Sequence, residues 1–207
     1  MARLGRIAAI GGGLIALAGA STALLAYREK SVEKPDYATI DLDDAIEVRD
    51  YPALLIAETV APGDRLSALN EGFRKLADYI FAKRRGPAAD ADQASEKIAM
   101  TAPVLSDRND MGQWRTRFAM PAKYTAETLP TPDGGVRIAT LPARRVAAIR
   151  FAGSAGDDAL ADHERKLRVW LAQHGYKADG PAEYAFYNSP FVAPPLRHNE
   201  VLVPVKG

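Results

Sequence analysis

What most constrains the fold of this chain is that its body nearly repeats itself. Ile46 to Val60 reads as two apolar-rich strand segments around Tyr51-Pro52, and Val136 to Phe151 does the same around Leu141-Pro142, ninety residues later. A Gly/Asp opening follows each pair, Pro62-Gly63-Asp64 and then Gly153 to Asp158, of the kind that caps a helix N-terminus. Helices are predicted after both. Leu66, Leu69, Phe73, Leu76, Ala77 and Ile80 form a one-sided stripe at helical period, and a shift of 94 lands on Leu160, His163, Leu167, Trp170, Leu171 and His174. Beyond the helices, a strand ending in proline recurs as Ile98 to Pro103 and Ala185 to Pro190, and a last strand as Arg117 to Pro121 and Glu200 to Pro204. Each half is therefore ββαββ. Two such modules predict an α+β domain of eight strands, with two helices on a largely antiparallel sheet and a groove along the pseudo-twofold axis suited to a small molecule.

Composition closes off several function classes. A chain of 207 residues, 47% hydrophobic and 26% charged, has the makeup of a folded protein with a real core. Lys and Arg number 27 against 26 Asp and Glu, a net charge of +1, so the one-signed face expected of a nucleic-acid binder is missing. With no cysteine, disulfides, thiol nucleophiles and thiolate metal sites are excluded.

The N-terminus points to a membrane. Arg3 and Arg6 precede the 21 uncharged positions Ile7 to Tyr27. As a helix these would span roughly 30 Å, the thickness of a bilayer's hydrocarbon layer. The positive flank belongs on the cytoplasmic side, which predicts a single-pass anchor with the body on the extracytoplasmic or periplasmic side. The alternative is a signal peptide cleaved at Ala18-Gly19-Ala20, giving a secreted protein. The expected organisation is a signal-anchor segment over 1–30, a linker over 31–45 and a ligand-binding domain over 46–207.

Three histidines are available to a metal. His174 reads as a helix-end residue before a capping Gly175, and His163 as a core position of the second helical stripe. Eleven residues apart, they lie roughly 16 Å from one another along one helix and cannot share a metal. His198 sits in a Pro-rich loop, where ligands are commonly held.

Ser95-Glu-Lys-Ile-Ala-Met-Thr-Ala-Pro-Val104, Tyr187-Asn-Ser-Pro-Phe191, Pro194-Pro-Leu-Arg-His-Asn-Glu-Val201, the Leu141 to Arg145 turn and the strand ending Phe118-Ala-Met-Pro121 together resemble the SOUL haem-binding family. The resemblance runs from about Ile46 to Val205. It implies a pseudo-symmetric distorted antiparallel β-barrel flanked by two helices, and reversible, non-covalent binding of haem or a related tetrapyrrole without assigned catalysis. His198 is then the candidate axial and metal ligand, since the axial histidine proposed for one branch of the family falls here on Asp50. Arg197 and Lys97 are candidates for the propionates, and Met100, Phe73, Tyr187 and Phe191 for the pocket walls.

Two other classes stay open. One is a sensor module for another flat apolar ligand. The other is a hydrolase using Glu200 with Tyr187, because an apolar cleft would raise a carboxylate's pKa toward acid–base use. No G-x-S-x-G elbow, phosphate-binding glycine loop or H-E-x-x-H helix is present, so the expectation is a binding protein and not an enzyme.

Overall fold

A computed structural model describes residues 32–87 and 94–207. The expected anchor over 1–30 lies outside them, and among the described residues no helix is long and apolar enough to cross a membrane. The chain runs β1 (Ala38–Asp43), β2 (Ile46–Tyr51), β3 (Leu54–Ala61), α1 (Arg65–Ile80), β4 (Val104–Arg108), β5 (Trp114–Ala119), β6 (Arg137–Leu141), β7 (Arg144–Phe151), α2 (Asp157–Gln173), β8 (Glu183–Phe186) and β9 (Asn199–Pro204). The duplicated ββαββ order is present. It is preceded by a ninth strand, β1, within the stretch read as a linker.

All nine strands join one antiparallel sheet in the order β1-β2-β7-β9-β8-β4-β5-β3-β6. The series is open, with β1 and β6 at its edges, and does not close into the barrel that the resemblance implied. Its pseudo-twofold axis passes between β4 and β8, where only Val104–Phe186, Leu105–Ala185 and Ser106–Tyr184 are paired. The prolines at Pro52 and Pro142 do not close hairpins. β2 leaves its own half to pair with β7 from Ile46↔Ile149 to Tyr51↔Arg144, while β6 crosses to β3. The repeated strands with proline also begin differently from expectation, because Pro103 precedes β4 instead of ending a strand.

Both helices lie on one face. Asp64 caps α1 by accepting from the Ser67 amide at 3.0 Å, whereas Gly156 caps α2 without a side chain and leaves Asp157 and Asp158 in the first turn. Helix α2 buries Leu160, Leu167, Trp170 and Leu171 against Val48, Ala147, Val201 and Val203, as its stripe predicted. Helix α1 is rotated from the expected stripe. It buries Ala68, Gly72, Leu76 and Tyr79, leaving Leu66 and Phe73 more than 40% exposed. Matching the two buried faces needs a shift of 95, Gly72 onto Leu167 and Leu76 onto Leu171, not 94. The reason is steric: small residues at 68 and 72 let α1 settle directly on the sheet, and a Cβ on Gly72 would lie 2.7 Å from the Thr116 Cβ.

Among the described residues no helix covers the opposite face, yet Leu105, Val146, Ala148, Ala185 and Leu202 are buried there. Long charged side chains reach across this floor and cover it with their aliphatic stems. Asp107 accepts from Arg115 at 2.5 and 3.0 Å and pairs with Arg117 at 2.7 Å, and Glu183 is held by Arg144 at 2.9 Å. Burial alone would raise the Glu183 carboxyl, but Arg144, Arg117 and Arg115 together prevail and hold it below the usual carboxylate range.

Gly72→Ala is expected to lower stability by about 1–3 kcal/mol through overpacking against Thr116, despite alanine's better helix propensity. The urea midpoint reads this; an unchanged or higher midpoint would mean that α1 is not seated this closely.

Candidate ligand-binding site

Two features stand out, one on each face of the central strands. On the helix side a cavity of about 630 Å³ lies between the N-terminus of α1 and helix α2, toward the β4–β5 turn end of the central strands. Its floor is Trp114 of β5 and Tyr184 of β8, whose ring centroids are 6.2 Å apart, and Leu160, Ala161, Pro181 and Ala182 add apolar wall. Its rim is charged by Asp64, Arg65 and Arg108 on the side of the first half and Asp157, Glu164 and Arg168 on the side of the second.

Strand alternation explains the floor. Trp114, Thr116 and Phe118 are two apart on β5 and point toward α1, and Ser106, paired with both Thr116 and Tyr184, shares their face. Three buried polar atoms on this face of β4 and β5 have no hydrogen-bond partner among the described residues: Trp114 Nε1, Ser106 Oγ, and Thr116 Oγ1, which lies under Gly72 of α1. Each such group costs about 1–3 kcal/mol unless something completes it, and Trp114 Nε1 belongs to a side chain that lines the cavity.

The rim cations differ in availability. Arg65 is bound to Asp157 and to the Ala155 carbonyl, and Arg168 to Glu164 and the Gly180 carbonyl. Arg108 is exposed, lies 5.0 Å from the Trp114 ring centre, and has no carboxylate partner among the described residues. Burial, then the nearby Glu164, push the Tyr184 phenol upward, so it remains protonated at neutral pH.

The second feature is a buried ionic cluster on the other face. Arg49 of β2 donates to both oxygens of Glu200 on β9, at 2.8 and 2.9 Å, and to Glu47 at 2.9 Å. Tyr187 donates to Glu200 at 2.8 Å, and His198 Nε2 lies 2.8 Å from the same carboxylate. The His198 ring stacks on Tyr187 at 3.9 Å and 2°. Burial alone would raise the Glu200 carboxyl, but its bonds to His198 and Arg49 prevail and bring it down to about 2. The Tyr187 phenol is strongly raised by burial and by Glu200. An ionised Glu200 accepts from four donors, so the apolar, raised carboxyl needed for acid–base work is not what the fold builds.

The candidates from sequence are therefore scattered. His198, Tyr187 and Glu200 come together, and Glu200 is anchored by Arg49, not by Arg197. Arg197 instead ties its own loop, donating to Val192 at 2.8 Å and Pro190 at 2.7 Å. Met100 is half-buried against the α1 core, Phe73 meets Phe118 edge-on, and Lys97 and Phe191 are exposed; none of these eight lines the cavity. Asp50 pairs with Arg145 at 2.7 and 2.8 Å. His163 lies in α2 and His174 caps its C-terminus; they are bonded through Nδ1 to Ala159 and Trp170 and stacked on Phe151 and Trp170.

The model of the SOUL haem-binding protein family matches residues 32–204. The chain belongs to the SOUL family. Haem, held non-covalently, is the cofactor this membership assigns. None of the curated proteins matches the chain in sequence. Among solved structures, the EcmrR C-terminal domain is similar at 12% identity and a TM-score of 0.56, covering 82% of this chain and 98% of that one. A hydrolase from Listeria innocua is similar at 12% identity and 0.55, covering 81% and 94%. An EcmrR–DNA complex is similar at 12% identity and 0.54, covering 95% and 68%. At such identities the likeness is one of fold: this SOUL chain shares its α+β sheet with two helices with those proteins.

Glu200 stabilises the fold fully above its ordinary pKa of 4.5, and that contribution is lost as pH falls from 4.5 toward the folded value of about 2. Arg49→Met should cost about 3–5 kcal/mol by leaving Glu200 without its fork, and move acid unfolding to higher pH. Circular dichroism against pH checks both; a variant that unfolds at the wild-type pH would refute the assignment.

Proposed function

We propose that the protein is a membrane-tethered binder of haem or a related tetrapyrrole, acting as a carrier, buffer or sensor and not as an enzyme, with its ligand in the cavity between α1 and α2. The observation that carries this reading is the aromatic floor of Trp114 and Tyr184, in a space of about 630 Å³ whose rim carries Arg108 without a carboxylate partner among the described residues. A flat conjugated ring finds stacking surface there, and its carboxylates find the Arg108 guanidinium at the rim. When bound, haem supplies an iron centre whose chemistry is the cofactor's own, and the chain's part is to hold and orient the ring. No histidine lines this cavity, and a protonated Tyr184 is a poor iron ligand, so affinity rests on stacking and on the rim.

His198 supports a second reading. Its Nε2 is fixed by an ionised carboxylate, the arrangement that orients ligating histidines, and its ring is partly open to solvent. Haem bound there would take the free Nδ1.

Tethering rests on the uncharged run Ile7 to Tyr27 behind Arg3 and Arg6, with secretion after cleavage as the alternative. The net charge of +1 argues against a nucleic-acid partner. Glu200, lowered to about 2, argues against the hydrolase.

Haemin titration followed at the Soret band separates the two sites. Trp114→Ala should weaken binding about tenfold or more, while His198→Ala leaves it unchanged. Loss of the band in His198→Ala with Trp114→Ala intact would place the ligand at the second site. No band in the wild type would end the haem reading.

A further inference from the structure

The segment that arrives from the uncharged N-terminal run docks at one end of the central strands. Glu33 bridges in parallel to Thr101; its carbonyl accepts from Ala102 at 2.9 Å and its carboxylate from Ala122 at 2.7 Å. Lys34 lies 5.5 Å from the centre of the Tyr187 ring. Because β4 and β8 are antiparallel and pair at Val104↔Phe186, the chain enters β4 at the end where it leaves β8. Thr101, Ala122, Tyr187 and the loop that follows Tyr187 therefore share this end. The β4–β5 turn lies at the other.

That loop is unusual in composition and in how it is held. Asn188 to Leu196 carries no charged residue, and Pro190, Phe191, Pro194, Pro195 and Leu196 are all exposed. Phe191 is 80% exposed while its neighbour Val192 is fully buried, so the loop is anchored through one residue and displays the next. The Arg197 guanidinium grips the carbonyls of Pro190 and Val192, which fixes the display instead of letting the ring fold inward. A large aromatic held out in water costs free energy unless something apolar covers it.

From Tyr27, the end of the uncharged run, to Glu33 is six residues, a reach of at most about 20 Å. Exposed Lys34 and Lys123 flank the same end, charges suited to anionic headgroups. We infer that the 190–196 loop is a second membrane contact, inserting Phe191 and Leu196 into the headgroup–acyl boundary beside the tether and so fixing the domain's orientation on the bilayer. This rests on the tethering read from Ile7 to Tyr27. Two attachments at one end leave the β4–β5 turn pointing away from the surface.

The absence of cysteine makes the test clean. Phe191→Cys and Met111→Cys, the latter replacing a residue 79% exposed in the β4–β5 turn, each take a single nitrobenzoxadiazole label in the full chain. The labelled chains are reconstituted into phosphatidylcholine–phosphatidylglycerol vesicles with acyl-brominated lipid. The label at 191 should shift to the blue and be quenched severalfold more than the label at 111. Equal quenching in a chain that floats with the vesicles overturns the loop insertion alone. A chain that does not float removes the tether, and the inference with it.

Discussion

Three residue pairs between β4 and β8 form the seam on which the molecule depends. They are all the sheet offers where one half meets the other on the axis, and the two faces above and below them have been put to different use. Over the seam the helices stand apart, and Trp114 and Tyr184 are left facing an open space. Beneath it, Arg117 and Glu183 reach across the same strands and bind the halves through charge. A short hydrogen-bonded seam is thus reinforced from below by ion pairs, which leaves its upper side available for a guest.

Buried ion pairs are weak evidence for stability when set against apolar side chains of similar volume. Their distribution here has a geometric sense. Arg49 joins β2 to β9 across β7, and Arg144 joins β7 to β8 across β9. Each bridge skips a strand, so each fixes the relation of elements that make no backbone bond to one another. With no helix among the described residues to cover this face, long side chains do two jobs at once, burying small residues such as Ala148 and Ala185 and setting the order of the strands above them.

The duplication made the element order and the two helices legible, and the alternation and caps placed most strand ends within a few residues. What escaped was decided by partners distant in sequence. Nothing in Ile46 to Tyr51 says that it leaves its own half for β7, and nothing in Leu66 or Phe73 reveals that a glycine at 72 turns them outward. The site was less legible still. Tyr187, Glu200 and His198 were identified, but their counterpart Arg49 was missed because its match lies 151 residues away. Trp114 and Tyr184 were overlooked although the signal existed: they sit on alternating central strands, β5 and β8, with only β4 between them, and large aromatics so placed are the natural floor of a groove.

The exchange of β2 and β6 between the halves has a consequence for how the protein comes into being. A ribosome releases β1 and β2 almost one hundred residues before β7 exists to receive them, so the first hairpin must wait with an apolar flank unmated. Neither module can mature independently, since each completes its sheet with a ribbon borrowed from the other. Truncation at the midpoint would therefore yield no half-size folded unit, and the gene-doubling visible in the sequence is locked in: the copies have become mutually obligatory.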